Sequence, residues 1–236
     1  MSRKLGILGG MGPLATVEFM QKIIAQTPAC SDQQHIPMLV SNNPQIPDRT
    51  AFLISNGDDP YPALKQGMEQ LEQAGAECIV MPCNTAHYWY PRLSNTCRVH
   101  MISILDSVVD EAKLRGYSKV GIMATTATMT TRMYETKLAQ KQIAAVAPAQ
   151  EQQQAVMDGI YAVKAGDVEQ GHRLMKPVFD SLLEQGADAV ILGCTEIPVA
   201  LAETVFNQPG QCLDSLNILA KACIDWAMAD SAELVA

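Results

Sequence analysis

The sequence predicts an α/β protein of two pseudo-symmetric lobes, each a parallel sheet flanked by helices, with a cleft between them. Three observations carry this. Short apolar runs alternate with helical patterns along the whole chain. The first half of the chain is repeated in the second. And in each half an apolar run of one strand's length ends in a cysteine followed by a polar residue: IVMPCNTAH at 79–87 and VILGCTE at 190–196.

Runs of strand length fall at 4–9, 37–42, 77–82, 100–104, 119–124, 143–147, 188–193 and 211–213. Helical patterns fall at 13–26, 61–74, 106–115, 129–140, 150–164, 167–185 and 215–229. Short buried strands separated by helices of ten or more residues indicate parallel sheets covered on both faces. Self-similarity then divides the chain. KLGILGGMGPLAT from Lys4 aligns with KVGIMATTATMTT from Lys119, and LEQAGAECIVMPCN from Leu71 aligns with LLEQGADAVILGCT from Leu182. The offsets, 115 and 111 residues, keep the order of the elements with small insertions. The expected first lobe is 1–99, completed by a C-terminal helix 212–236, and the second is 100–211.

Composition narrows the classes of function. The chain has 236 residues and a net charge of −8, which disfavours nucleic acid or an anionic membrane as partner. No apolar run approaches the ~20 residues that a membrane span needs. MSRKLGILGGMGPL reads as a first strand entering a glycine turn rather than as a signal peptide. Seven cysteines, an odd number with no CxxC pair, point to a reduced cytoplasm rather than a disulfide framework. Cys83 and His87 alone do not make a metal site, and no metal is expected.

In open parallel sheets, ligands bind at the carboxyl ends of strands. Cys83 and Cys194 follow equivalent strands, so pseudo-twofold symmetry places them on opposite sides of one cleft. A lone cysteine is ordinarily a small buried hydrophobe, but a matched pair suits inversion of a carbon stereocentre. One thiolate removes a proton from one face while a thiol delivers another to the opposite face. Asn84, Thr85 and Thr195 can donate hydrogen bonds to a substrate carboxylate as the carbanion forms, or can cap the helices that follow. Gly10–Ala15 fits the loose G-x-G-x-x-A nucleotide fingerprint, yet no acidic residue ends the second strand, and no phosphate-loop lysine motif occurs. The loop around Met11 is better suited to bringing backbone N–H groups against a small substrate. Thr125 and Thr126 occupy the equivalent loop of the second lobe. Arg49, in the proline-rich loop NNPQIPDRT after the second strand, could clamp a carboxylate or lie on the surface. Lys164 ends a helical run and by position alone interacts with the helix dipole.

Taken together, GILGGMGPLAT, NNPQIPDRT, IVMPCNTAH, GIYAVKAG and GCTE resemble the aspartate/glutamate racemase superfamily, and within it the aspartate racemases, over nearly the whole chain. The resemblance implies two Rossmann-like lobes, a homodimer, and a two-base racemase that uses no pyridoxal phosphate or other cofactor. It implies that Cys83 and Cys194 are the catalytic thiols, that Asn84 and Thr85 bind carboxylate, and that Arg49 and Lys164 are the cations around a dicarboxylic amino acid. It further implies that Cys194 attacks the L-enantiomer and Cys83 the D-enantiomer. Some members replace one cysteine and do other chemistry; this chain keeps both. The expected activity is interconversion of L- and D-aspartate, with glutamate or a broader amino acid set as the enzymatic alternative. A non-catalytic amino-acid-binding protein is the alternative of another class.

Overall fold

The computed structural model describes residues 3–229. In chain order the first elements are β1 (Leu5–Gly9), α1 (Pro13–Gln26), β2 (Met38–Asn42), α2 (Arg49–Ser55), α3 (Tyr61–Gln73), β3 (Cys78–Val80), α4 (Tyr90–Ser94) and β4 (His100–Ile102). There follow α5 (Ile104–Leu114), β5 (Lys119–Ala124), α6 (Thr126–Thr130), α7 (Met133–Gln140), β6 (Ala144–Val146), α8 (Gln150–Lys164), α9 (Val168–Glu184), β7 (Ala189–Gly193), α10 (Glu196–Ala200), α11 (Ala202–Asn207), β8 (Cys212–Asp214) and α12 (Ser215–Met228). Among the described residues the strands form two four-stranded parallel sheets, ordered β2-β1-β3-β4 and β6-β5-β7-β8. The α/β class with two lobes is thus what the chain adopts.

Two compact units result. Within the described residues, one comprises the chain up to Phe52, Gly57–Ile104 and Leu216 onward; the other comprises Leu53–Asn56 and Leu105–Ser215. The central strands β1, β3 and β7 are buried throughout, while β2 and β6 at the edges have no fully buried residue. That contrast is why the central strands read as unbroken apolar runs. Helices cover the faces through periodic apolar stripes, as in α3, where Leu64, Gly67, Met68 and Leu71 are the buried positions.

The repeat holds down to single hydrogen bonds. Gly6 pairs with Ile79 in the first sheet and Gly121 with Val190 in the second. Four residues beyond Ile79 and Val190 stand Cys83 and Cys194. Gly75 and Gly186 both have positive φ (88° and 85°), turning the chain from helix into strand. The acid two residues later then ties the two central strands together. Glu77 accepts the Lys4 N–H at 2.7 Å, and Asp188 accepts the Lys119 N–H at 2.9 Å.

Three sequence expectations are corrected. β4, placed in the second lobe by a boundary at residue 100, pairs with β3 in the first sheet. β8, placed with the segment 212–236 that completes the first lobe, pairs with β7 in the second; residues 230–236 of that segment lie outside the described residues. The two have one cause: the fourth strand of each unit crosses back through short helices, α4 in one and α10 with α11 in the other, and docks beside the third. The helix expected at 129–140 is two helices, α6 and α7, separated by Arg132 at a left-handed φ of 53°.

Candidate active site

In both sheets the strand order reverses beside the first strand, since the chain goes from β1 to β2 on one side and then to β3 on the other. The loops leaving the carboxyl ends of β1 and β3, and of β5 and β7, therefore diverge at a topological switch point, where open parallel sheets bind ligands.

In the first unit these loops carry Gly10–Gly12 and Cys83–Thr85. Gly10 has φ +94°, and a Cβ on it would lie 2.2 Å from the Asn43 carbonyl oxygen, so only glycine lets the two loops meet. Met11 beside it is buried. Cys83, Asn84 and Thr85 are all buried at the end of β3. The Cys83 N–H is tied to the Met81 carbonyl at 2.8 Å. Asn84 stands at the N-cap of the short turn Thr85–Tyr88 but makes no side-chain cap bond there, so the capping role open to it from sequence is not the one it plays.

Arg49 does not lie in an irregular loop; it opens α2, with Asp48 accepting the Ala51 N–H at 2.6 Å as a cap. One turn on, Phe52 packs against Trp89 with ring centroids 5.5 Å apart, which brings α2 alongside the Cys83 segment. The guanidinium Nη1 donates to the carbonyls of Ile46 (3.1 Å) and Pro47 (3.0 Å), which anchors it. Its Nε–H is buried and has no hydrogen-bond partner among the described residues. A buried cationic donor left open in this way suits an anionic ligand.

In the second unit the cysteine belongs to a cluster. Cys194 Sγ–H donates to Glu196 Oε2 at 3.0 Å, and the Thr195 hydroxyl donates to the same oxygen at 2.9 Å. Lys164, the last residue of α8, places its Nζ 3.9 Å from Glu196 Oε1 and stays half exposed. Cys194, Thr195 and Lys164, singled out on separate grounds in the sequence, are thus brought together. Thr125 and Thr126 belong to a neighbouring group at the end of β5. Thr125 caps α6 by accepting the Thr128 N–H at 3.2 Å, and Thr126 Oγ1 accepts from Gln153 Nε2 at 3.4 Å. Among the described residues no cluster of three or more potential metal ligands occurs, and no helix is long and apolar enough to cross a membrane.

The family model described as Asp/Glu/Hydantoin racemase matches residues 8–223. The chain belongs to the Asp/Glu/Hydantoin racemase family. The solved aspartate racemase of Picrophilus torridus superposes with a TM-score of 0.86 at 34% identity, covering 95% of this chain and 94% of that one. The broad specificity amino-acid racemase RacX of Bacillus subtilis is 27% identical over 231 residues, 95% of this chain and 98% of that protein. An uncharacterized protein in the pnlA 3'region of Pectobacterium carotovorum is 38% identical over 138 residues, 58% of this chain and 92% of its own length.

Within this racemase, burial raises several of the thiols. It pushes Cys78 up to about 12 and Cys212 up to about 11, and raises Cys223 well above the ordinary thiol value. These are packing cysteines in the core. Cys194 is also raised well above the ordinary range, first by burial, then by the charge of Glu196 and its hydrogen bond; Lys164 acts in the opposite direction. The thiol's own hydrogen is the one engaged in the bond to Glu196.

In the sequence Glu196 stands only as the last letter of GCTE. An acid in the first turn of a short helix ordinarily serves the helix dipole, and nothing in the spacing marks it as the partner of the thiol two residues before it. Since its carboxylate disfavours the thiolate, Glu196→Gln is expected to let Cys194 ionise at lower pH. The pH dependence of iodoacetamide labelling at Cys194, read by peptide mass mapping, should shift its midpoint downward. An unchanged midpoint would leave burial as the sole cause.

Proposed function

We propose that this racemase interconverts L- and D-aspartate without a cofactor, using Cys83 and Cys194 as acid–base partners on opposite faces of the α-carbon. The observation that carries the reading is the register match: each thiol stands four residues beyond the partner of a first-strand glycine, at the strand end that borders its sheet's switch point.

In the direction from D to L, the Cys83 thiolate takes the α-proton and becomes a thiol. The electron pair left on carbon is spread into the α-carboxylate, and the Cys194 thiol delivers its proton to the other face, leaving a thiolate. The direction from L to D reverses each transfer. No proton is gained or lost overall, and the two thiols exchange ionisation states in every turnover. Glu196, by its charge and its hydrogen bond, favours the protonated, donor form of Cys194. Asn84, Thr85 and Thr195 are assigned to the α-carboxylate, where hydrogen bonds strengthen as charge builds. Met11, Thr125 and Thr126 line the loops beside the substrate. Arg49 and Lys164 supply two cationic anchors, the number a dicarboxylic amino acid can use; the buried, open Nε–H of Arg49 supports this. A cytoplasmic homodimer is part of the same reading and rests on family resemblance.

A broader specificity is favoured by one observation, the similarity to a broad specificity racemase over nearly the full chain. Chiral chromatography after incubation with L-aspartate, L-glutamate and neutral amino acids separates the readings. D-aspartate is expected to form fastest. D-glutamate or neutral D-amino acids at equal rates would replace the substrate assignment, and no D-product from any of them would favour a binding protein.

A further inference from the structure

We infer that His87 is a positioning residue for Cys83: a neutral imidazole, protonated at Nδ1, that fixes the turn carrying the thiol. The inference rests on the catalytic role proposed for Cys83. His87 lies four residues after Cys83 and is 3% exposed. Its Nδ1 is 2.8 Å from the Cys83 carbonyl oxygen, and its Nε2 is 3.0 Å from the backbone nitrogen of Ile104. A backbone N–H can only donate, so Nε2 must accept and carries no proton; Nδ1 then holds the ring's single hydrogen and donates it to Cys83. An imidazolium would set an N–H against the Ile104 N–H and lose that bond. The ring is stacked on Tyr90, with centroids 5.3 Å apart and planes 9° apart. Tyr90 is itself fastened by its hydroxyl, which donates to the Met101 carbonyl at 2.7 Å.

The Cys83 main chain is thus held on both sides, its N–H by Met81 and its C=O by His87. This leaves rotation about the Cα–Cβ bond as the freedom by which Sγ addresses a substrate. His87 also spans from the end of β3 to the first residue of α5, so the thiol turn takes its position from two elements rather than one. Both ring nitrogens are engaged by backbone, which removes His87 as a metal ligand and as an acid–base partner of the thiol. Its effect is geometric, as with outer groups that orient a reactive side chain.

The test compares His87→Leu, which loses both bonds, with His87→Asn, whose amide N–H can still reach the Cys83 carbonyl. Displacing a reacting group by a fraction of an ångström to 1 Å costs between about ten- and a hundredfold in rate, so His87→Leu should lower kcat by that factor. KM should change by less than kcat, because the cationic anchors proposed at Arg49 and Lys164 do not lie on that turn. His87→Asn should recover most of kcat, and both variants should keep the wild-type shape of the pH–rate profile. In the unaltered protein, nitrogen-15 NMR of the His87 ring should show one tautomer, protonated at Nδ1, unchanged between about pH 6 and 8. A folded His87→Leu with wild-type kcat, a profile that loses a limb in either variant, or a ring that titrates in that range would overturn the inference. The NMR measurement needs neither substrate nor variant, so it decides the clamp even if His87→Leu fails to fold or Cys83 proves not to be catalytic.

Discussion

Replacing Cys83 or Cys194 by alanine is expected to abolish racemisation while leaving the fold intact. A positioned acid or base contributes about 10²–10⁴-fold, and here loss of either thiol removes the only group proposed for one face, so activity should fall below that fraction of wild type. Neither change should unfold the chain: Cys83 sits on a turn held by backbone bonds, and Cys194 is only partly buried. Circular dichroism checks the fold, and chiral chromatography checks the activity. Substantial activity in either folded variant would exclude the two-thiol assignment. The serine variants then assign the faces. If Cys194 serves L-aspartate, Cys83→Ser should still wash out the α-proton of the L-enantiomer slowly, and Cys194→Ser that of the D-enantiomer; the opposite pattern would exchange the two roles.

Arg49→Ala and Lys164→Ala are expected to lower kcat/KM for aspartate by roughly ten- to a hundredfold each. That corresponds to the ~1.5–3 kcal/mol of one charge-assisted hydrogen bond. The two positions differ in how the charge is presented. Arg49 is anchored through Nη1 to two carbonyls of its own loop, so its open Nε–H is fixed in direction. Arg49→Lys, which keeps the charge but loses the planar fork, should therefore recover little. Lys164 is a half-exposed ammonium near Glu196, and Lys164→Arg should recover more. Steady-state kinetics with L-aspartate checks both. A variant within about twofold of wild type would return that residue to the status of a surface charge with the small effect such charges have.

Much of this architecture is legible in the sequence because the repeat preserves residues with backbone duties. Gly75 and Gly186, the acids Glu77 and Asp188, and the lysines they meet recur at fixed offsets because each pair performs the same turn and the same strand-end bond. The cysteines recur with them, which is why the candidate thiols can be read before any geometry. What is not legible depends on contacts between distant segments. α2 is hidden by Pro44 and Pro47, which read as a loop, and by its seven-residue length, so Arg49 appears to sit in irregular chain although it starts a helix. β4 and β8 are three residues each, and which sheet they join is decided by docking beside β3 and β7 rather than by composition. Glu196 and His87 escape for a related reason. One depends on a side chain folding back on a thiol two residues away, the other on an amide seventeen residues further along the chain.

The central claim, that two thiols work on opposite faces of one carbon, is tested most directly by racemising L-aspartate in deuterium oxide and reading the α-position of both enantiomers at early times. The account predicts that newly formed D-aspartate carries solvent deuterium from the first turnovers, because its proton comes from a thiol that has exchanged with solvent. Unreacted L-aspartate should acquire deuterium much more slowly. A measurable share of early D-aspartate retaining the original α-proton would mean that a single group both removes and returns it, and would contradict the two-thiol mechanism.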